Sequence, residues 1–194
     1  MKRHIPLAIV TALFCAWTVS AQDTKDKNLI PNDGFEQPVG EEGSVPAEWV
    51  PFTSKNLVMG TTSAVKRNGA QSLKITAQNI PNGFQGVNYT IPVTSGSRYT
   101  FSTYVMNDKS DPLKGTAHGM LVIEWKSADN KEMSRTLSKS WDTSLSRMRW
   151  ELFSINNMEP PKGTVSATFG IHFCEGKEGA NGSIFIDDVM LVEK

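Results

Sequence analysis

Short runs in which apolar and polar residues alternate, separated by clusters of turn formers, constrain this chain more than any other feature. In residues 164–173, Val165, Ala167, Phe169, Ile171 and Phe173 fall on one side and Ser166, Thr168, Gly170 and His172 on the other. A period of two matches a β-strand, whose successive side chains point to opposite faces of a sheet. Residues 72–77, 86–91 and 98–106 alternate in the same way. In the last of these, Tyr99, Phe101 and Val105 oppose Thr100, Ser102 and Tyr104. Turn formers lie between the runs: Asn68 with Gly69, Ser95 with Gly96, Asp129 with Asn130, and Pro160, Pro161 and Gly163. No stretch keeps a helical period over three turns. The pattern predicts an all-β fold, an antiparallel β-sandwich formed by residues 28–194 as one domain.

Charge removes several partners. Twenty basic residues balance twenty acidic ones, so no cationic excess exists to displace counterions from nucleic acid. The first residues form an address. Lys2 and Arg3 precede an apolar run over residues 5–17, and Val19, Ser20 and Ala21 supply the small residues of a cleavage site. This is the three-part pattern of a secretory signal, predicted here as residues 1–21, and the run is too short for a membrane span. Acylation at Cys15 is the alternative, but the bulky Phe14 precedes that cysteine. The expected location is periplasmic or extracellular, with residues 22–27 a flexible lead-in and no transmembrane segment. Cys174 is then the one remaining cysteine, so no internal disulfide is expected.

Seven segments, in order, resemble carbohydrate-binding modules of families four, nine and twenty-two, which are galactose-binding-like jelly rolls. They are NLIPNDGFE at 28–36, PAEW at 46–49, RNGAQSLKI at 67–75, TSGSRYTFSTYV at 94–105, Trp150, PPKG at 160–163 and IFIDDVML at 184–191. The resemblance implies a jelly-roll sandwich that binds a polysaccharide or oligosaccharide, with a separate glycan-degrading enzyme as a possible partner. The loops at 109–117 and 175–182 follow no shared motif.

A metal site follows from placement. In residues 184–191 the alternation puts Phe185, Asp187, Val189 and Leu191 on one face. If that face is buried, Asp187 needs a compensating partner, because an isolated buried charge is very costly. Glu36, at the end of the segment read as the first strand, is a companion if the two terminal strands lie close together. Their carboxylates with carbonyls near Gly34 and Lys74 suit Ca²⁺, which takes 6–8 oxygen ligands. The resemblance implies a structural calcium at the positions matching Glu36 and Asp187. The alternative is that Asp187 pairs with Lys74 or with backbone amides.

Sugar recognition needs flat rings against the apolar face of a pyranose and planar polar groups for its hydroxyls. The candidate rings are Tyr104, Trp125, Trp141 and His172, with Asn88, Glu124 and Gln85 as hydrogen-bonding partners. Tyr104 leads, from its polar strand face and its matched position. Trp141 stands in a polar stretch, where a large aromatic marks a binding surface. Trp125 and Glu124 must point to opposite faces; Leu121 and Ile123 draw Trp125 toward the core. Trp49 and Trp150 are read as structural. Two other classes stay open: a small jelly-roll polysaccharide lyase or hydrolase, the former using Tyr104 with His118 or His172, and a protein-binding adhesion module. Non-catalytic binding is the leading expectation, since no paired acids share a strand face.

Overall fold

A computed structural model describes residues 27–177 and 179–194. The proposed signal and most of the lead-in lie outside the described residues. Ten strands follow one another: β1 (Val50–Thr53), β2 (Met59–Thr62), β3 (Ser72–Thr76), β4 (Phe84–Pro92), β5 (Tyr99–Asn107), β6 (His118–Lys126), β7 (Glu132–Leu137), β8 (Glu151–Met158), β9 (Ser166–Cys174) and β10 (Ser183–Glu193). They form two five-stranded antiparallel sheets, ordered β1-β4-β9-β6-β7 and β2-β3-β10-β5-β8. The described residues contain no helix. This is the all-β sandwich that the alternation predicts.

The inner faces carry the apolar half of each alternating run. Val87, Leu121, Ile123, Trp125, Phe169, Ile171 and Phe173 from the first sheet meet Leu73, Ile75, Tyr99, Phe101, Val105, Ile184 and Ile186 from the second, each at most 1% exposed. Phe101 meets Phe169 edge-on across the sheets at 5.4 Å between centroids. Burying each such side chain is worth about 1.5–3 kcal/mol, which is what holds the sheets together. Trp49 closes one end of this core, packed against Phe35 and Tyr89 with its Nε1 donating to the carbonyl of Asn32.

β9 is the axis of the first sheet, in register with β4 from Cys174 opposite Phe84 to Ser166 opposite Pro92, and with β6 from Cys174 opposite His118 to Ser166 opposite Lys126. Its alternation sends Phe169, Ile171 and Phe173 inward. Thr168, Gly170 and His172 therefore face outward, beside Asn88 of β4 and Glu124 of β6.

β10 departs from the simple alternation. Its pairing with β5 shifts between Asp187 and Met190, and Asp188 adopts a positive φ of 50° within that bulge. Before the bulge, Phe185 and Asp187 lie on the outer face, opposite Met106 and Tyr104; after it, Leu191 pairs with Phe101 on the core face. The single face expected for Phe185, Asp187, Val189 and Leu191 is thus split in two, because a bulge moves each later residue to the other face. Asp187 is still 0% exposed, covered by the loop that carries Arg67 and Asn68 rather than by the core.

Candidate functional site

Outward-facing residues of the first sheet build a groove of about 370 Å³ lined by Phe52, Phe84, Asn88, Glu124, Arg135, His172 and Cys174. Three of the residues singled out in the sequence meet here: Asn88, Glu124 and His172. Two glycines make the floor. A Cβ on Gly86 would stand 2.6 Å from the Phe52 ring, and one on Gly170 would stand 2.4 Å from Asn88 Oδ1 and 2.5 Å from His172 Nε2. The missing side chains let Phe52 lie over one strand and let Asn88 and His172 fold over the next. Phe52 packs on His172 at 4.6 Å and near Phe84 at 6.2 Å, giving one end of the groove an aromatic wall.

The other end is ionic and internally balanced. Arg135 Nη2 donates to Glu124 at 2.8 Å and to Glu132 at 2.7 Å, and Lys126 lies 3.8 Å from Glu124. Between the two ends, Asn88 Oδ1 and His172 Nε2 are buried with no hydrogen-bond partner. Buried polar atoms are nearly always paired; Trp141 Nε1, in the core, is a further exception.

Burial, and secondarily the Arg135 charge, pushes His172 down to about 4. Its folded value lies below the ordinary imidazole value of about 6.5, so the unfolded chain binds more protons between the two. This contribution to stability is complete above pH 6.5 and is lost as the pH falls toward 4. Asp187 acts in the opposite sense over an overlapping range, because burial pushes its carboxyl up to about 6. The difference in unfolding free energy between the wild type and His172→Gln therefore isolates the histidine. That difference is expected to shift against the wild type as the pH is lowered from 6.5 to 4, as read by urea titrations; a pH-independent difference would contradict the burial of a neutral imidazole.

Four expected site residues lie elsewhere. Gln85 points into the sandwich and is 1% exposed; its side chain accepts from Val58 N and donates to the carbonyl of Thr76, tying the two sheets together at their edge. Trp125 is 1% exposed in the core, edge-on to Tyr99, with Nε1 donating to Thr136 Oγ1. Trp141 is also buried. Its backbone bridges Gly119 in both directions at 2.9 Å, and its ring fills the space that the absent Gly119 side chain leaves on the core face of β6. Tyr104 lies on the outer face of the second sheet, across the sandwich from the groove, and the Arg67 guanidinium covers its ring at 3.6 Å. The expected lyase pair of Tyr104 with His118 or His172 is therefore not assembled, because the histidines face outward from the first sheet.

Phe52, Phe84 and Arg135 were not read from the sequence as site residues. Pro51 disguises β1 as a loop, and β7 (EMSRTL) has no apolar alternation strong enough to mark a strand. Cys174, on the groove's border, is half-buried, and burial pushes its thiol up, as suits an unreactive side chain.

The segment at Asn28 does lie against the last strand: Asn28 Oδ1 accepts from Leu191 N, and Asn28 Nδ2 donates to the carbonyl of Val189. Glu36 sits in a loop rather than at the end of a strand, and it accepts from Ala70 N at 2.9 Å. Asp187 accepts from the backbone N–H groups of Arg67, Asn68 and Asp188. Both carboxylates flank Gly34, 3.4 and 3.8 Å from where its Cβ would be. Lys74 does not belong to this cluster. Its ammonium pairs with Asp108 at 2.9 Å, and its backbone lies between Gly60 and Phe185 in the middle of the sheet. Among the described residues no three His, Cys, Asp or Glu side chains converge on a metal position. The donor set is two hard carboxylates, one of them fully buried with a raised pKa; among the described residues both are met by backbone amides, the alternative expected for Asp187, and neither is paired with a cationic side chain. That chemistry fits a hard cation completed by carbonyl or water oxygens.

A family model described as a carbohydrate binding domain matches residues 27–147. No curated protein sequence matches. Among solved structures, a family 61 carbohydrate-binding module in complex with β-1,4-galactotriose has a TM-score of 0.58 at 16% identity, covering 87% of this chain and 99% of that one. The enzymatically active domain of bacteriophage CBA120 tailspike protein 4 has a TM-score of 0.61 at 13% identity, covering 86% of this chain but 21% of the tailspike. The family 22 module with the catalytic module of Clostridium thermocellum endo-1,4-β-D-xylanase 10B, complexed with xylohexaose, has a TM-score of 0.59 at 16% identity, covering 84% of this chain and 28% of that one. At these identities the likeness is one of fold.

Proposed function

Since the chain belongs to the carbohydrate binding domain family, we propose that its groove binds a polysaccharide or oligosaccharide without cleaving it. The observation that carries this reading is the outward groove itself, with the Phe52, Phe84 and His172 rings at one end and Asn88, Glu124 and Arg135 beside them. Asn88, Glu124 and Arg135 line the same groove and offer polar partners to sugar hydroxyls. Phe52 and Phe84 offer apolar surface to pyranose C–H groups.

The groove chemistry supports binding over catalysis. Glu124 and Glu132 both grip Arg135 Nη2, so a guanidinium occupies the space between two carboxylates where a glycosidase would place the scissile bond. Balanced charge at that end favours an uncharged glycan. Affinity electrophoresis against soluble xylan, β-1,4-galactan, β-glucan and mannan tests the reading. Retardation by at least one of them, without release of reducing ends, is expected. Free migration in all four gels would overturn it, and reducing-end release would favour the enzyme reading.

The proposal includes a structural calcium held by Glu36 and Asp187, which would offset the buried carboxylate charge and fasten the 63–71 loop to β10. Ligand present at a hundred times its Kd adds about 2.7 kcal/mol to stability, or roughly 5–11 °C in Tm for a domain of this size. Calcium is expected to raise Tm by that order, EDTA to reverse it, and Asp187→Ala to abolish the response. A melting curve indifferent to both reagents would remove calcium from the proposal. The signal-like residues 1–21 support export, where a separate glycan-degrading enzyme is the expected partner.

A further inference from the structure

We infer that the opposite face of the sandwich carries a second saccharide-binding site, a shelf built on Tyr104 and Arg67. A cavity of about 490 Å³ opens there, within the usual size of small-ligand sites. Its walls differ in kind from those of a merely solvated sheet face. Arg67 stacks on the Tyr104 ring at 3.6 Å and is held sideways by Asp188, which also accepts from Asn68 Nδ2 at 2.6 Å. The same loop donates its Arg67 and Asn68 amides to buried Asp187. The guanidinium is thus fixed from below and from the side, and little further ordering is needed to bind.

What the shelf leaves unpaired defines its ligand. Among the described residues, Nε and Nη2 of Arg67, the Tyr104 hydroxyl and the Ser102 hydroxyl make no hydrogen bond, while Asp33 and Asp188 keep spare acceptor capacity. Beside them Met190 is 43% and Leu152 56% exposed, both lining the same cavity. Two carboxylates against one guanidinium disfavour an anion, and the Arg67 charge is already paired with Asp188. Mixed donors and acceptors around an apolar patch match a neutral polyol with one C–H face. The inference takes only this class of ligand from the groove reading; its residues and its sheet are different.

Two sites on opposite faces let one chain engage two saccharide strands, which raises retention on an insoluble glycan through avidity. Backbone amide shifts of the whole protein during separate titrations with xylohexaose and β-1,4-galactotriose at millimolar concentration test the shelf. Movement of Ser102, Tyr104, Asp188 and Met190 with either sugar, retained in Phe52→Ala and lost or weakened at least tenfold in Tyr104→Ala, is the expected result. If those four amides stay still with both sugars, the shelf is overturned whether or not Gly86, Gly170 and His172 respond. If the shelf moves and the groove does not, the shelf stands on its own and neither of these two sugars occupies the groove. Tyr104→Phe, which keeps the stack and removes only the hydroxyl, guards against misfolding of the alanine variant; it should bind more weakly than the wild type and more strongly than Tyr104→Ala.

Discussion

Replacing Phe52 and His172 together by alanine is expected to lower affinity for the glycan that the wild type retains best by about a hundredfold, or about 2.7 kcal/mol. Both rings face outward from the first sheet, and they touch each other at 4.6 Å. The double variant removes the apolar wall and one of the two unpartnered polar atoms in a single step. Aromatic anchors in a small groove carry a large share of binding energy, so few other pairs would cost as much. Each single variant is expected to lose roughly tenfold. Because the rings are in contact their losses need not add, and the cycle of four proteins measures the coupling directly. His172→Ala also leaves Asn88 Oδ1 with nothing beside it over Gly170, whereas Phe52→Ala exposes the imidazole. The first should mainly alter which sugars bind, and the second how tightly all of them bind. Unchanged affinity in a double variant with native circular dichroism would remove the groove from the proposed function.

How much of this was legible in the sequence depends on what alternation can report. A period of two states which residues share a face, and for β9 that was enough: His172 and the inward Phe169, Ile171 and Phe173 lie where the pattern put them. It does not state which sheet a strand joins. Tyr104 and His172 each stand on a polar strand face, yet the two faces look away from each other because β5 and β9 belong to different sheets. Nor does it survive a bulge, which is why Val189 and Leu191 parted from Asp187. Strands with little contrast disappear altogether. β1, β2, β7 and β8 were not read as strands, and with β1 and β7 went Phe52 and Arg135, the two flanks of the groove. Gln85 shows the converse error: expected to hydrogen-bond a sugar, it is satisfied inside by two backbone partners across the sandwich. The family, by contrast, was carried by order and spacing of turns and strand ends, which tolerate all of these local misreadings.

Trp141 looked like an exposed platform because its neighbours in sequence are polar; the reason it is buried lies twenty-two positions away, at Gly119. That glycine sits on the core face of β6, and a methyl there would meet Trp141 Cε2 and Nε1 at 2.5 Å and the His172 carbonyl at 2.6 Å. Gly119→Ala is therefore expected to be among the most damaging small substitutions in the chain. On its own, glycine to alanine in a strand without positive φ would stabilise by about 0.4–1 kcal/mol through the unfolded state. Here overpacking opposes it, and one of the two obstacles is backbone, which cannot rotate away. A net loss of about 2 kcal/mol follows, lowering Tm by roughly 4–8 °C. Trp141→Phe in the same chain removes the indole atoms in the way and is expected to recover part of the loss, though not the part due to the carbonyl. That carbonyl belongs to His172, whose ring lines the groove on the other side of the sheet. Any displacement of β9 that makes room for the methyl must therefore tilt the imidazole, so Gly119→Ala should weaken glycan retention at temperatures where the protein is still fully folded. Wild-type retention alongside the lowered Tm would show that the strain relaxes toward Trp141 alone, and a Tm within a degree of wild type would refute the packing account of Trp141 itself.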